Sequence, residues 1–66
     1  MKNYRFMTER EKIRFKKWLI ENNMSMREFA RQNEVSVVYI SNLINGKEHL
    51  TDRAKLLFIQ AGFDVK

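Results

Sequence analysis

Four hydroxyl side chains, Thr8, Ser25, Ser36 and Thr51, each stand just ahead of a segment with helical periodicity. A Ser or Thr at such a position accepts a hydrogen bond from a first-turn amide that the helix itself leaves without a partner. Thr8-Glu9-Arg10-Glu11 and Ser25-Met26-Arg27-Glu28 both have the S/T-x-x-E form of a capping box, in which the acid reaches back to the cap amide. Helix stops fall between these starts, at Asn22-Asn23, Asn33-Glu34-Val35, Gly46 and Gly62. The alternation predicts four helices, over about 9–22, 26–32, 37–45 and 52–61, with a loop at 47–50 and a tail at 62–66.

The side-chain spacing gives each helix an inward face. In the first, Phe15, Trp18, Leu19 and Asn22 fall on one stripe, and Arg10, Arg14 and Lys17 on another. Phe29 and Ala30 point inward from the second, and Ala54, Leu57, Phe58 and Ala61 from the fourth. Val37, Val38, Tyr39 and Ile40 have strand propensity, yet the Ser36 cap, the Ile40/Leu43/Ile44 spacing and Gly46 favour a third helix. Phe63-Asp64-Val65-Lys66 alternates apolar and polar, as an extended tail or a short strand would. The fold class is all-α, one compact domain with a C-terminal tail.

Sixty-six residues allow one domain, and a domain of about 60 residues buries only about 60% of its unfolded surface, so oligomerisation is expected from size. Without cysteine there is no disulfide framework, thiolate metal site or cysteine nucleophile, which points to a reducing compartment, by default the cytoplasm. No apolar run approaches the roughly 20 residues that span a bilayer, and Met1 to Met7 lacks the apolar stretch of a secretory signal, so a soluble, unprocessed chain is expected.

The net charge of +5 lies entirely in residues 1–17, where seven cations face Glu9 and Glu11, and the remaining residues balance to zero. A basic end on a small domain suits a polyanion, nucleic acid first and an anionic membrane second, although a solvated helix face would look the same. Chemistry is sparse. His49 is the only histidine and has no acidic pair beside it, so no metal is expected. Glu9, Glu11, Glu21 and Glu28 have cap or surface roles, and a chain with two glycines holds no phosphate loop or nucleophile elbow. Neither an enzyme nor a cofactor, small-molecule ligand or membrane partner is expected. A basic first helix could lie on a membrane, but Phe15 and Trp18 are better used as core.

Two short helices joined by about four residues, the second opened by Ser and closed by Gly, outline a helix-turn-helix. Phe29 and Ala30, Val35 at the turn, and Ile40 and Leu43 supply the apolar and small residues that its contact needs. Ser25-Met26-Arg27-Glu28-Phe29-Ala30, then Val35 to Leu43, then Asn45-Gly46-Lys47, resemble in order and spacing the Cro/repressor-type, lambda-repressor-like helix-turn-helix family of phage and bacterial regulators. The resemblance covers most of the chain from Phe15 to Ile59. It departs at the turn, where Glu34 stands for the usual Gly and Asn33 for an apolar residue. Asn33 tolerates left-handed geometry better and is a candidate to take over the turn. The family's fifth helix is missing or reduced to the tail.

A recognition helix turns its first two turns toward base edges, which selects Val37, Val38, Ser41 and Asn42, the same four positions to which the resemblance assigns base contact. Asn42 can pair with adenine, Ser41 with several bases, and the valines with thymine methyls. Tyr39 suits either a phosphate or the core. The helix carries no cation, so affinity must come from elsewhere. By the resemblance the start of the second helix at Met26 and Arg27, with Asn45 and Lys47, would meet the DNA backbone; Ser36 and Tyr39 are further backbone candidates, and Arg10, Arg14 and Lys17 form a further phosphate set.

The expected function is a sequence-specific regulator that binds a near-palindromic operator as a homodimer, with half-sites about 34 Å apart. Phe58, Phe63 and Val65 are the favoured dimer surface, with Tyr4 and Phe6 the other spare apolar groups. A competing reading is a protein-interaction module, an antirepressor or antitoxin-like partner, which the two valines and Tyr39 on an uncharged helix would suit. A weaker one is a non-specific architectural DNA binder.

Overall fold

The caps found in the sequence each open a helix. A computed structural model describes residues 4–65, with α1 at Glu9–Glu21, α2 at Met26–Gln32, α3 at Val37–Ile44 and α4 at Asp52–Ala61. Thr8, Ser25, Ser36 and Thr51 accept hydrogen bonds from the amides of Glu11, Glu28, Tyr39 and Ala54. The capping box of α1 is complete, with the Thr8 amide donating to Glu11 Oε1 at 3.0 Å. That of α2 is half made, because the Glu28 carboxylate turns to Arg31, whose Nη2 donates to it at 2.7 and 2.8 Å.

All four helices also stop in the same way. Asn23, Glu34, Gly46 and Gly62 take positive φ, at 52°, 57°, 73° and 105°. The amide after each donates to the carbonyl five residues back: Met24 to Leu19 at 2.9 Å, Val35 to Ala30 at 3.0 Å, Lys47 to Asn42 at 2.9 Å and Phe63 to Phe58 at 2.9 Å. These are Schellman ends, which use up carbonyls that the last turn leaves over. At the α2–α3 turn the left-handed residue is Glu34 itself. Asn33 does not take over: it keeps φ −100° and donates from Nδ2 to the Phe29 carbonyl at 2.8 Å.

The core is aromatic. Phe15 of α1 is fully buried and meets Phe29 of α2 at 5.0 Å, Phe58 of α4 at 5.2 Å and Phe63 of the tail at 5.2 Å, mostly edge to face. Ile40, Leu43 and Ile44 close it from α3, and Leu50 and Met7 from the two loop segments. After Gly62 the chain folds back so that Phe63 and Val65 enter this core while Asp64 stays outside. This corrects the dimer assignment. Phe58, Phe63 and Val65 are buried in their own chain, because a thin core recruits every large apolar group within reach.

Residues 4–7 are likewise packed into the fold. Arg5 bridges to Leu50, whose amide donates to the Arg5 carbonyl at 2.7 Å, and the Phe6 ring stacks on His49 at 4.3 Å. Arg5 forms a two-pronged ion pair with Glu11, at 2.6 and 2.8 Å. That hydrogen bonding holds the Glu11 carboxyl at about 2, against burial pushing the other way and with help from the Thr8 amide. Residues 1–3, and with them Lys2, lie outside the described residues, as does Lys66. Among the described residues there is no strand beyond that isolated bridge, and no helix is long and apolar enough to cross a membrane.

Candidate nucleic-acid interface

Helix α3 has two faces of different chemistry. Ile40, Leu43 and Ile44 are buried and fix the helix on the core, leaving Val38, Ser41, Asn42 and Asn45 on the other side. Val38 is 63% exposed, Asn45 is exposed, and Ser41 and Asn42 are half-buried. Asn45 Nδ2 donates to Ser41 Oγ at 3.2 Å, which holds two polar groups of this face in register one turn apart. Val37 departs from the expected set. It precedes Ile40 by three residues and Ile44 by seven, so it lies at the edge of the inward stripe and packs, half-buried, against the core. Of the two valines only Val38 projects. Tyr39 is also half-buried against the core.

The end of α3 differs chemically from the other three. The residue pairs joined by the long Schellman bond are Leu19/Met24, Ala30/Val35 and Phe58/Phe63, each able to make the apolar contact that accompanies such ends. At α3 the pair is Asn42/Lys47, and the Asn42 carbonyl also accepts from the Glu48 amide at 3.2 Å. Where the other helix ends contribute apolar side chains, this one places an amide and an ammonium group.

The expected backbone contacts divide. Ser36 is exposed, and its Oγ accepts from the Tyr39 amide at 3.1 Å while its proton remains for another acceptor. Arg27, Asn45 and Lys47 are exposed, whereas Met26 is half-buried against the core and offers its backbone more than its side chain. On α1, Arg10, Arg14 and Lys17 are exposed. The Arg14 guanidinium sits 5.6 Å from the Phe63 ring centre. Arg14 and Lys17 border, with Trp18, Glu21 and residues 62–64, an open groove of about 420 Å³ to which α2 and α3 contribute nothing. The structure thus gathers these two cations beside the tail and not beside α3.

One residue was overlooked in the sequence. Arg53, in the first turn of α4, lines a cleft of about 280 Å³ with Val35, Ser36 and Tyr39 at the start of α3. No periodicity connects it to Tyr39, since a loop and a helix start intervene. Its one local signal is a cation placed at the positive end of a helix dipole.

No family model, curated protein or solved structure matches this chain. Its own geometry offers a neutral, hydrogen-bonding face on α3, with two hydroxyls and Arg53 at the start of the helix and Lys47 just past its end. Among the described residues no three His, Asp or Glu side chains gather where a metal ion could be held.

Proposed function

We propose that the chain is a sequence-specific DNA-binding regulator of the Cro/repressor, lambda-repressor-like type, with α2 and α3 as its helix-turn-helix and the outer face of α3 in the major groove. The observation that carries this reading is the division of α3. A fully buried stripe holds the helix still, and the opposite stripe presents Val38, Ser41, Asn42 and Asn45 without any charge. An amide such as Asn42 can bond adenine at N6 and N7, the Ser41 hydroxyl suits several base edges, and Val38 fits a thymine methyl. Ser36, Tyr39, Arg27 and Lys47 flank this stripe as backbone contacts, and the positive charge of residues 1–17 supplies steering.

A cytoplasmic protein pairing on a near-palindromic operator completes the proposal, each copy reading one half-site. The subunit contact then has to use surface that the fold leaves outside. Leu56 and Ile59, 53% and 51% exposed on the outer side of α4, take the place of the buried C-terminal set as the residues to vary.

Selection of bound sites from a random duplex pool tests the reading. The wild-type chain should return a two-fold related consensus rich in T and A, and a Val38→Ala/Asn42→Ala variant should lose it. An unchanged consensus would show that α3 is not the reading element. A second reading, a protein-interaction module, draws on the exposure of Val38; it gains if the wild-type chain retains no duplex but captures another regulator.

A further inference from the structure

The cleft between the start of α3 and the first turn of α4 collects donors from three places in the chain. Val35 and Ser36 come from the turn, Tyr39 from α3 and Arg53 from α4, around a space of about 280 Å³. Every polar side chain lining it can donate: the Ser36 hydroxyl keeps its proton while accepting the Tyr39 amide, Tyr39 carries a phenol, and Arg53 carries five N–H groups in a fixed fork. No carboxylate lines it.

Arg53 takes the second helical position of α4, as Arg10 does in α1 and Arg27 in α2, and differs from both in lining this cleft. It lies in the first turn of α4, where a cation works against the helix dipole that Asp52 complements. Its side chain makes no hydrogen bond or ion pair among the described residues. Glu34 lines the neighbouring groove together with Arg53, yet the two form no ion pair. Arg5 and Arg31, by contrast, are both committed to glutamates.

We infer that Ser36, Tyr39 and Arg53 form a clamp for one backbone phosphate of the DNA that α3 reads. The inference rests on the DNA-binding reading above. It adds a residue of α4 to the contact surface and makes the α3–α4 junction, rather than the basic stripe of α1, the main cationic anchor beside the reading helix. An arginine fork matches two oxygens of a phosphodiester, and two hydroxyls can complete the set. Tyr39 is half-buried against the core and Ser36 is fixed by its cap bond, so these two members are held in place before DNA arrives, and the exposed Arg53 side chain closes on the phosphate.

The test is fluorescence anisotropy with a labelled mixed-sequence duplex over a range of KCl concentrations, using the full chain and the variants Arg53→Gln, Arg53→Lys and Tyr39→Phe. One lost phosphate contact lowers the slope of log K against log[salt] by about 0.9. Arg53→Gln should show that decrease and bind less tightly at low salt. Arg53→Lys should restore the slope, and Tyr39→Phe should weaken binding with the slope unchanged. The consensus selected by Arg53→Gln should match the wild type, since a phosphate contact carries no base information. Equal slopes and affinities for wild type and Arg53→Gln would overturn the clamp while leaving the DNA reading intact. A wild-type chain that retains no duplex would overturn the DNA reading and the clamp with it.

Discussion

At the scale of single residues, Glu34 and Glu11 show opposite relations between sequence and backbone. Glu34 holds a left-handed conformation that costs a non-glycine residue on the order of 1 kcal/mol. Glu34→Gly should therefore raise stability by about 0.5–1 kcal/mol, part of the gain being offset by the added freedom of the unfolded chain. Urea denaturation reads the change, and a loss of stability would mean that the Glu34 side chain contributes more than its backbone costs. Composition alone favoured Asn33 for this role. The register was decided instead by Val35, which must follow the left-handed residue for its amide to reach Ala30 and its side chain to reach the core. Glu11 is the reverse case, legible from the capping box, although its partner Arg5 was not, since the bridge of Arg5 to Leu50 is non-local. Its carboxyl is held at about 2 instead of its ordinary 4.5, so its stabilisation is present above the ordinary value and is lost as pH falls from 4.5 toward 2. With Arg5 partly open to solvent this amounts to on the order of 2 kcal/mol. Thermal unfolding of the wild type should weaken across that window, and Glu11→Gln should be less stable at neutral pH and flat across it.

Helix α3 poses the question of faces at the scale of the element. All four helices were legible because their starts and stops are local hydrogen-bonding motifs that need no tertiary partner. Faces are less local. Val37 and Val38 are the same residue type side by side, and only the position of the core tells them apart: Val37 packs on it and Val38 is 63% exposed. The spacing from Val37 to Ile40 and Ile44 already contained that distinction, but Ile40, Leu43 and Ile44 look like a complete inward face without it. The two valines should consequently separate in experiment. Val37→Ala should cost about 1 kcal/mol of stability through lost packing, as removal of partly buried methyls does. Val38→Ala should stay within about 0.5 kcal/mol of wild type, as surface changes do, yet alter the selected consensus at one position. Calorimetry and site selection on the same pair of variants check this. A Val37→Ala chain of wild-type stability with altered selection would return Val37 to the reading surface.

For the whole molecule, size decides how apolar residues are spent. The described residues form a body with a Cα radius of gyration of 11.1 Å, close to the ~11 Å expected for a folded chain of about this length. In so small a body Phe58, Phe63 and Val65 close the core, where Phe63 lies 5.2 Å from Phe15 and 5.9 Å from Trp18. Sequence identifies such residues as apolar but not whether their cover is the same chain or a second copy, because burial is a property of the assembled core. The alternation Phe63-Asp64-Val65 hinted at self-cover, and the return of the chain after Gly62 provides it. Removing a buried Phe costs about 3–5 kcal/mol, most of the roughly 5 kcal/mol that holds a small domain together. Phe63→Ala should therefore unfold the chain in large part, with the helical circular dichroism signal lost, and the proposed DNA binding should fall alongside it. Leu56→Glu/Ile59→Glu changes two exposed positions and should leave the helical signal and melting intact. On the proposed function, this variant should sediment with one copy per selected two-fold duplex and the wild type with two. Two copies bound by both proteins with equal cooperativity would place the subunit contact away from α4, and the exposed residues of α1, Ile13 and Ile20, would be the next to vary.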